Sequence, residues 1–388
     1  MTSNTQKNVV YLDHNATAAV RSCARSAMAH ALEHVGNPSS IHAAGRAARA
    51  LLETAREQVA ALIGAPAPTV VFTSGGTEAN ALALESAVVA GAKRLIVSAI
   101  EHDSVQETAR IQGVAVEVLP VDSDGQADVG WLRKRLAGWD AAEGKPFVAL
   151  MLANNETGVI QPVTEVAGLV RALDGWLHVD AIQAAGKIPV DSRALGADTL
   201  SVSAHKIGGP QGVGALTFGP RATLSRRQHG GGQERGRRGG TENVPGISSF
   251  GAAAAEARLG LEEFARRAAW RDAAASQFKA LGAVVMGEAA PRLANTLCVA
   301  TPGFTSDVQV MGLDLAGVMV SAGSACSSGK VKASPVLEAM GQGELAACAI
   351  RVSGGWSTTE GDWIHFVEAW SAAHARHAAR HRQPVGAV

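Results

Sequence analysis

Hydrophobic and polar positions alternate with two different periods over the first two thirds of the chain. Residues 41–64 carry apolar side chains at helical spacing and predict an amphipathic helix, which Gly64 and Pro66 end. Short apolar runs rich in β-branched residues, mostly separated by helical stretches, predict strands at Thr69–Thr73, Arg94–Ser98, Val114–Leu119, Phe147–Leu152, Leu177–Val179 and Thr199–Val202. This alternation is typical of an α/β fold with a mostly parallel central sheet flanked by helices.

The pattern changes near residue 250, where alanine, arginine and glutamate become frequent. Residues 251–281 predict one long connecting helix. Beyond it, short strands, a Ser/Gly-rich loop at 321–329 and a C-terminal helix predict a smaller α+β unit. A chain of 388 residues is long enough for two domains of this kind.

The composition narrows the classes of function. Lys and Arg number 35, as do Asp and Glu, and this zero formal net charge argues against direct binding to nucleic acid or acidic membranes. The sequence predicts no membrane span, and we expect no targeting segment at its start. Four cysteines are too few for a disulfide scaffold, so we expect a reduced, cytoplasmic compartment with free thiols.

Three motifs lie where predicted strands end. The stretch from Ser74 to Glu78 (SGGTE) joins a strand to a helix and predicts either an anion site or ordinary helix capping. Asp180 ends a later strand, where an acid either pairs with a cationic ring nitrogen or caps a helix. Lys206 follows a buried strand and is either an imine-forming nucleophile or a lysine that reaches solvent at the sheet edge. Together, an anion site, an acid and such a lysine meet the requirements of pyridoxal 5′-phosphate.

Three further motifs carry candidate chemistry. Residues 228–243 are glycine-rich and basic, and predict either a phosphate contact through Thr241 or the arginines, or a disordered arginine patch. Cys326 lies in the small-residue sequence SAGSACSSG without apolar cover and is the candidate reactive thiol, whereas the other cysteines lie in helical or apolar stretches. Arg351 is either a bidentate partner for a carboxylate or an ordinary surface arginine.

The whole set of motifs resembles cysteine desulfurases of the NifS/IscS type, within the class V aminotransferase family of fold-type-I pyridoxal-phosphate enzymes. The matching stretches cover nearly all of the chain and are, in order, YLDHNATA, GNPSSIH, TSGGTEAN, EHDSV, NNETG, HVDAIQAAGK, SAHKIGGPQGVGAL, GGGQERGRRGGTENVPG, SAGSACSSG and RVSGGWSTTE. The resemblance implies a large cofactor-binding domain over 14–258 and a small domain formed by 1–13 and 259–388. The small domain would carry a long mobile cysteine loop at about 321–332.

The resemblance also implies how the cofactor is held. Lys206 binds pyridoxal phosphate covalently, Asp180 pairs with its ring nitrogen, and His102 stacks on the ring and assists proton transfer. The remaining cofactor-binding residues that the family implies are Gly76, Thr77, Asn155, Gln183, Ser203, His205 and Thr241. Thr241 would reach the phosphate of the neighbouring subunit, so the family implies a homodimer. No metal site is predicted.

The reaction and the partners follow from the same resemblance. L-Cysteine, bound by Asn155 and with its carboxylate held by Asn37 and Arg351, would be converted to L-alanine with Lys206 as the base at Cα. Its sulfur would pass to Cys326 as a persulfide, and then to an acceptor protein such as an iron–sulfur scaffold. The alternatives are a selenocysteine lyase or another class V enzyme and, from a different class, a catalytically idle scaffold for acceptor proteins. Iron–sulfur assembly, nitrogenase maturation and tRNA thiolation stay open as pathways.

The sequence departs from the family pattern at His14, Ala18, Ala81, Gly208 and Gln211. The family assigns no role to any of these positions in the scheme above, so the departures leave the reaction class unchanged. We expect His14 and Gln211 to alter substrate fit or loop docking.

Overall fold

The computed structural model describes residues 9–323 and 333–381. Its helices are α1 (Ser22–Leu32), α2 (Ala43–Leu62), α3 (Gly76–Val89), α4 (Asp103–Arg110), α5 (Val129–Ala137), α6 (Val163–Arg171), α7 (Val244–Leu259), α8 (Leu261–Arg266), α9 (Ala268–Ala280), α10 (Ser306–Leu315), α11 (Pro335–Ala339), α12 (Gly343–Ala346) and α13 (Glu360–His381). Its strands are β1 (Val10–Tyr11), β2 (Val70–Thr73), β3 (Arg94–Ser98), β4 (Ala115–Leu119), β5 (Phe147–Ala149), β6 (Trp176–Asp180), β7 (Thr199–Ser203), β8 (Gly214–Phe218), β9 (Val284–Val285), β10 (Thr296–Ala300), β11 (Val318–Met319), β12 (Ser321–Ala322) and β13 (Ala349–Ser353).

A seven-stranded sheet of order β2-β8-β7-β6-β5-β3-β4 forms the centre of the described structure. The strands from β7 to β4 in this order pair in parallel, whereas β8 runs antiparallel to both of its neighbours. Successive residues alternate between two cores, because Ile96 and Val148 pack in one and Leu95 and Phe147 pack in the other. The predicted α/β fold with a mostly parallel, helix-covered sheet is confirmed.

The predicted strands of this sheet agree with the observed ones to within one residue at each end, apart from the end of β5. β5 ends at Ala149 rather than at Leu152. The N–H groups of Leu150 and Leu152 still donate to the carbonyls of His178 and Asp180. The chain beyond β5 therefore continues beside β6 towards the carboxyl edge of the sheet.

The single long helix predicted over 251–281 is wrong, because the chain forms α7, α8 and α9 there. α7 ends before Gly260, and glycine has a weak helix propensity. At the break between α8 and α9, the guanidinium of Arg267 donates to the carbonyls of Gly355 and Trp356. α7 packs against α1 and α2, whereas α9 packs against α13 and β10. One straight helix could not pack against both sets of neighbours.

A second, antiparallel sheet has the order β12-β13-β10-β9. It packs on α9 and α13 around Phe278, whose ring centroid lies 5.2 Å from that of Phe366 and 4.3 Å from that of Trp370. β1 pairs in parallel with β11 beside it. The division of the chain into domains at 258–259 stays a prediction. None of the helices in the described ranges has the length and hydrophobicity that a membrane crossing requires.

Candidate functional site

A cavity of about 400 Å³ lies at the carboxyl ends of β3, β5, β6 and β7. Ligands of parallel α/β sheets bind at this edge, and the volume suits a small molecule. Most of the residues predicted to bind cofactor or substrate line this cavity, namely Gly76, Thr77, His102, Asn155, Asp180, Gln183, Ser203, His205, Lys206 and Arg351. Residues that are far apart in the sequence thus meet at the carboxyl edge of the sheet, where the motifs at the strand ends predicted a site.

Lys206 lies in a short 3-10 turn, Ala204–Lys206, directly after β7. Every residue of β7 is buried, so the turn brings the lysine from the sheet to the cavity wall. Its Nζ donates to the carbonyls of Asn15 and Ala16 at 2.5 and 2.8 Å. Burial, followed by the positive charge of Arg351, lowers the pKa of Lys206 to about 8. A lysine with this pKa supplies the neutral amine that imine formation requires.

Asp180 ends β6 and accepts two hydrogen bonds from the protein. Its Oδ1 accepts the N–H of Ile182 at 2.9 Å, and its Oδ2 accepts Nδ2 of Asn80 at 2.8 Å. Burial raises the pKa of Asp180, and the two hydrogen bonds oppose that rise because they stabilise the carboxylate. A cationic ligand group in the cavity would stabilise the carboxylate further, so the site favours such a partner for Asp180.

A buried polar chain connects Asp180 with His102. Asn80 donates through Nδ2 to Asp180 and, at 2.9 Å, to Oγ of Ser104. Its Oδ1 accepts Nε2–H of the fully buried His178 at 3.0 Å. The N–H of Ser104 donates to Nδ1 of His102 at 3.0 Å, which assigns the proton of the neutral ring to Nε2. His102 therefore offers Nε2–H to a ligand.

The anion site predicted at SGGTE lies at the start of α3. No side chain of the described residues caps this helix, so its first N–H groups stay available and ordinary side-chain capping does not explain the motif. A β-carbon at Gly76 would lie 2.2 Å from Cδ1 of Ile182, so a larger residue there would have to displace that side chain. Burial, together with the charge of Lys206, lowers the pKa of His205 to about 4 and keeps its imidazole neutral. This end of the cavity suits a phosphate.

Asn15 and Lys187 form hydrogen bonds with each other and with predicted site residues, and sequence reasoning missed both. The carbonyl of Asn15 accepts the side-chain amide of Gln183 at 2.9 Å in addition to Lys206. Nζ of Lys187 donates to Oδ1 of Asn15 at 2.8 Å and to Oε1 of Gln183 at 2.7 Å. Burial lowers the pKa of Lys187 well below its usual range. This network orients the Gln183 amide. Its members lie in the YLDHNATA and HVDAIQAAGK motifs, and this position within family motifs was the sequence signal that could have identified them.

Glu101 is a third residue that sequence reasoning missed, although it precedes His102 in the EHDSV motif. It lines the cavity, and its Oε1 accepts the N–H of Met151 at 2.5 Å, while Oε2 has no hydrogen-bond partner among the described residues. Burial raises the pKa of Glu101 well above its usual range, and the Asp180 carboxylate adds to the rise. A protonated Glu101 offers a hydrogen-bond donor at the cavity wall.

Arg351 lies on β13 and is 5% exposed, so it is not an ordinary surface arginine. Its Nη2 donates to Oδ1 of Asp13 at 2.7 Å, and its Nη1 donates to the carbonyl of Asn155 at 3.4 Å. Nε has no hydrogen-bond partner in the described part of the chain. The guanidinium is thus oriented by Asp13 and keeps donor capacity for a carboxylate.

Two predicted site residues lie outside this cavity. Asn37 is exposed, and its Oδ1 accepts the N–H of Ser39 at 2.9 Å. Thr241 lines a separate cleft of about 170 Å³ together with Gly36 and Pro38, the neighbours of Asn37. The two predicted residues therefore belong to one surface region, away from Lys206. Cys326 lies outside the described residues.

Comparison with known proteins identifies the family. Residues 10–363 match the family Aminotransferase class-V. A cysteine desulfurase of Cereibacter sphaeroides is 43% identical over 85% of this chain and 86% of that protein. A cysteine desulfurase IscS of Dictyoglomus turgidum is 39% identical over 92% of each. The crystal structure of a NifS-like protein from Rickettsia africae superposes with a TM-score of 0.87 at 32% identity, covering 95% of this chain and 99% of that one.

The chain belongs to the class V aminotransferase family. Within this family it is similar over most of its length to cysteine desulfurases of the NifS and IscS type. The enzyme class and the fold family inferred from the motifs are thereby confirmed.

Proposed function

We propose that this enzyme is a pyridoxal-phosphate-dependent cysteine desulfurase that converts L-cysteine to L-alanine and transfers the sulfur to Cys326. The observation that carries the proposal is the meeting of Lys206, Asp180 and the uncapped start of α3 around one cavity, with Arg351 on its wall. An amine of lowered pKa, a carboxylate and an anion site are the donor set that this cofactor requires.

Besides the amine of Lys206, the residues present fit pyridoxal phosphate at two points, its phosphate and its ring nitrogen. The N–H groups of Gly76 and Thr77, with Ser203 and His205, would hold the phosphate. Asp180 would hold the ring nitrogen in its cationic form, and bound cofactor would act as the electron sink for a carbanion at Cα of the substrate.

The protein's own groups would carry the proton and the substrate. Arg351, held by Asp13, would bind the substrate carboxylate and so orient Cα. The amine of Lys206 would remove the Cα proton, and Nε2–H of His102 would donate towards the ligand. Glu101 and the Asn15–Lys187 network would hold the cavity wall in place.

Cys326 is the proposed sulfur acceptor. Its thiolate would attack the substrate sulfur, forming an S–S bond while the C–S bond breaks and its electron pair stays on the substrate carbon, which a proton then converts to alanine. The persulfide would next pass to an acceptor protein, for which an iron–sulfur scaffold is the proposed example. This chemistry needs free thiols, so we place the enzyme in the cytoplasm.

A homodimer is the proposed assembly, with Thr241 and Asn37 contributing to the cavity of the second subunit. The apolar side chains of Leu32, Val35 and Ile41 are 67%, 89% and 90% exposed around the cleft that Thr241 lines. Large exposed apolar groups in one region favour burial against a second copy.

The test is turnover by purified protein. L-Cysteine should yield equimolar alanine and sulfur, and Lys206→Ala should lose the visible absorbance of the bound cofactor. Cys326→Ser should form no persulfide; full activity of Cys326→Ser would overturn the proposed acceptor. Comparing L-cysteine, L-selenocysteine and a 2-oxo acid as substrates distinguishes the desulfurase from a selenocysteine lyase and an aminotransferase.

A further inference from the structure

One face of β6 carries a row of three polar side chains that leads to the cavity. Trp176, His178 and Asp180 alternate along the strand, so their side chains lie on the same side of the sheet. His178 is fully buried, and burial lowers its pKa to about 3. Its imidazole is therefore neutral at pH 7, and it donates through one ring nitrogen and accepts through the other.

Asn80, on α3, joins this row to Asp180. It is fully buried, and its Nδ2 donates to Oδ2 of Asp180 at 2.8 Å and to Oγ of Ser104 at 2.9 Å. Its Oδ1 accepts Nε2–H of His178 at 3.0 Å. The amide cannot rotate without breaking these three hydrogen bonds, and a buried polar group that loses its partner costs free energy. Asn80 therefore presents a fixed N–H to the carboxylate of Asp180.

The hydrogen-bond donors along this row all point towards Asp180. The indole Nε1 of Trp176 can only donate, and it donates to Oγ1 of Thr199 at 3.0 Å. The same hydroxyl lies 3.0 Å from Nδ1 of His178, so it donates its own hydrogen to that nitrogen and the ring proton is assigned to Nε2. Nε2–H requires an acceptor, which is the oxygen of the Asn80 amide. The tautomer of His178 thus fixes which end of that amide faces Asp180.

Glu101 shows how the cavity treats a carboxyl group that has fewer donors. Glu101 and Asp180 are 4% and 5% exposed, so the two carboxyl groups are equally buried. Glu101 accepts one hydrogen bond, from the N–H of Met151, and burial raises its pKa well above its usual range. Asp180 accepts one N–H at each oxygen, from Ile182 and from Asn80, and these bonds oppose the effect of burial. The Asn80 amide is therefore one of two donors that favour the charged form of Asp180.

We propose that Asn80 and His178 are positioning residues that hold Asp180 as a hydrogen-bond acceptor and so keep the shared proton on the ring nitrogen of the cofactor. The inference rests on the proposed pairing of Asp180 with that nitrogen. Neither Asn80 nor His178 lines the described cavity, so both act through Asp180. A cationic ring withdraws electrons more strongly than a neutral one, and the proposed reaction depends on this withdrawal.

The experiment observes the ring nitrogen by NMR, in holoenzyme loaded with pyridoxal phosphate that carries nitrogen-15 in its ring. The chemical shift, followed as the pH is raised, gives the midpoint at which the ring loses its proton. Asn80→Leu, whose side chain is of similar length but has no donor, should lower this midpoint by about one to two pH units. That shift is the tenfold to hundredfold effect of about one hydrogen bond to a charged group. The groups that act electrostatically on Asp180 are the same in every variant, namely Glu101, His102 and Lys206.

Two variants of His178 test the network without changing Asn80. His178→Leu removes the donor that orients the Asn80 amide, so the midpoint should fall in the same direction as in Asn80→Leu. His178→Gln supplies an amide N–H in place of Nε2–H and should return the midpoint towards the wild-type value. A residue with a merely structural role would not show this recovery in the titration of the ring.

Gln309→Leu is the matched control for general destabilisation. Gln309 is also fully buried, and its amide also makes three hydrogen bonds, to the carbonyls of Phe304 and Cys348 and from the indole of Trp370. It lies on α10 and does not line the described cavity. Gln309→Leu removes as many hydrogen bonds as Asn80→Leu, yet it should leave the midpoint unchanged.

A wild-type midpoint in Asn80→Leu, or an equal fall in Gln309→Leu, would overturn the positioning role. If Asn80→Leu does not retain the cofactor, the His178 variants decide: a wild-type midpoint in His178→Leu, or no recovery in His178→Gln, would overturn it. Wild-type protein that binds no pyridoxal phosphate, or that binds it with a neutral ring, would instead overturn the proposed function.

Discussion

At the scale of single residues, burial decides which groups of the cavity carry charge. It lowers the pKa of Lys206 and His205 and raises that of Glu101, so an amine of lowered pKa, a neutral imidazole and an acid of raised pKa lie around one space. Groups with shifted pKa values concentrate at catalytic sites because reaction steps require specific protonation states.

The lowered pKa of Lys206 predicts a pH profile for covalent capture of pyridoxal phosphate by cofactor-depleted protein. Only the neutral amine attacks, so the capture rate should rise with pH around a midpoint near 8. Arg351→Gln removes a positive charge that lowers this pKa, and the midpoint should move upwards. Stopped-flow absorbance measures the rate, with the exposed Arg133→Gln as control. A midpoint that Arg351→Gln leaves unmoved would contradict the prediction.

His14, one of the departures from the family pattern, predicts a pH-dependent stability. Its ring packs against Gly355, where a β-carbon would lie 1.9 Å from Nδ1, and burial lowers the pKa of His14 to about 4 from a usual 6.5. A folded-state pKa below the unfolded one gives stability that is present above pH 6.5 and lost as the pH falls towards 4.

Between pH 7 and pH 4, the free energy of unfolding of the wild-type protein should therefore fall by roughly 2–3 kcal/mol more than that of His14→Asn. Urea denaturation at both pH values measures the difference. Parallel losses in the two proteins would show that His14 is not the titrating group.

At the scale of elements, turns between strands and helices hold the site residues. The 3-10 turn after β7 carries Lys206, and the NNETG turn after β5 carries Asn155 and Glu156. Such turns depend on glycine where the backbone has positive φ and a neighbour is close, as at Gly158.

Gly158→Ala tests this dependence. The left-handed φ and the close approach to Thr296 should lower the free energy of unfolding by about 1–3 kcal/mol. Displacing the turn should also raise KM for L-cysteine, since Asn155 bonds Arg351 through its carbonyl. Gly168→Ala is the matched control: it lies inside α6 with no atom within 4 Å and should stabilise the protein by about 0.5–1 kcal/mol. Equal effects of the two substitutions would contradict the argument.

At the scale of the whole molecule, the described chain leaves an apolar region uncovered beside Thr241. The buried Arg56–Glu234 ion pair, at 2.7 Å, fixes the glycine-rich segment that leads to Thr241. A fixed segment beside exposed apolar groups is consistent with a preformed contact surface for a second copy.

The proposed dimer is tested by Ile41→Asp, alone and with Val35→Asp. Placing carboxylates in this region should convert dimers to monomers, as measured by light scattering after size exclusion, and should weaken cofactor retention. Ile111→Asp is the control, because Ile111 is also largely exposed, at 72%, but lies on another part of the surface. Monomers already present in the wild-type protein, or dimers that persist in both variants, would overturn the assignment of this surface.

The sequence by itself determined the fold class and the position of the cavity. Hydrophobic periodicity and strand ends are local patterns, so β6 and β7 could be predicted and Asp180 and Lys206 could be assigned to one sheet edge. The motif resemblance added Arg351 and Gln183 to the same site. Their roles stay predictions, as does that of Cys326.

Only the tertiary structure decided how distant residues combine. The break of the predicted helix at Gly260 and Arg267 follows from packing against two different sets of neighbours, which local propensity does not report. The contacts of Asn15 with Lys187 and of Glu156 with Ser334 join residues more than 170 positions apart. No periodic pattern encodes such pairs, because they depend on the register of buried strands and on the hydrogen bonds that burial demands.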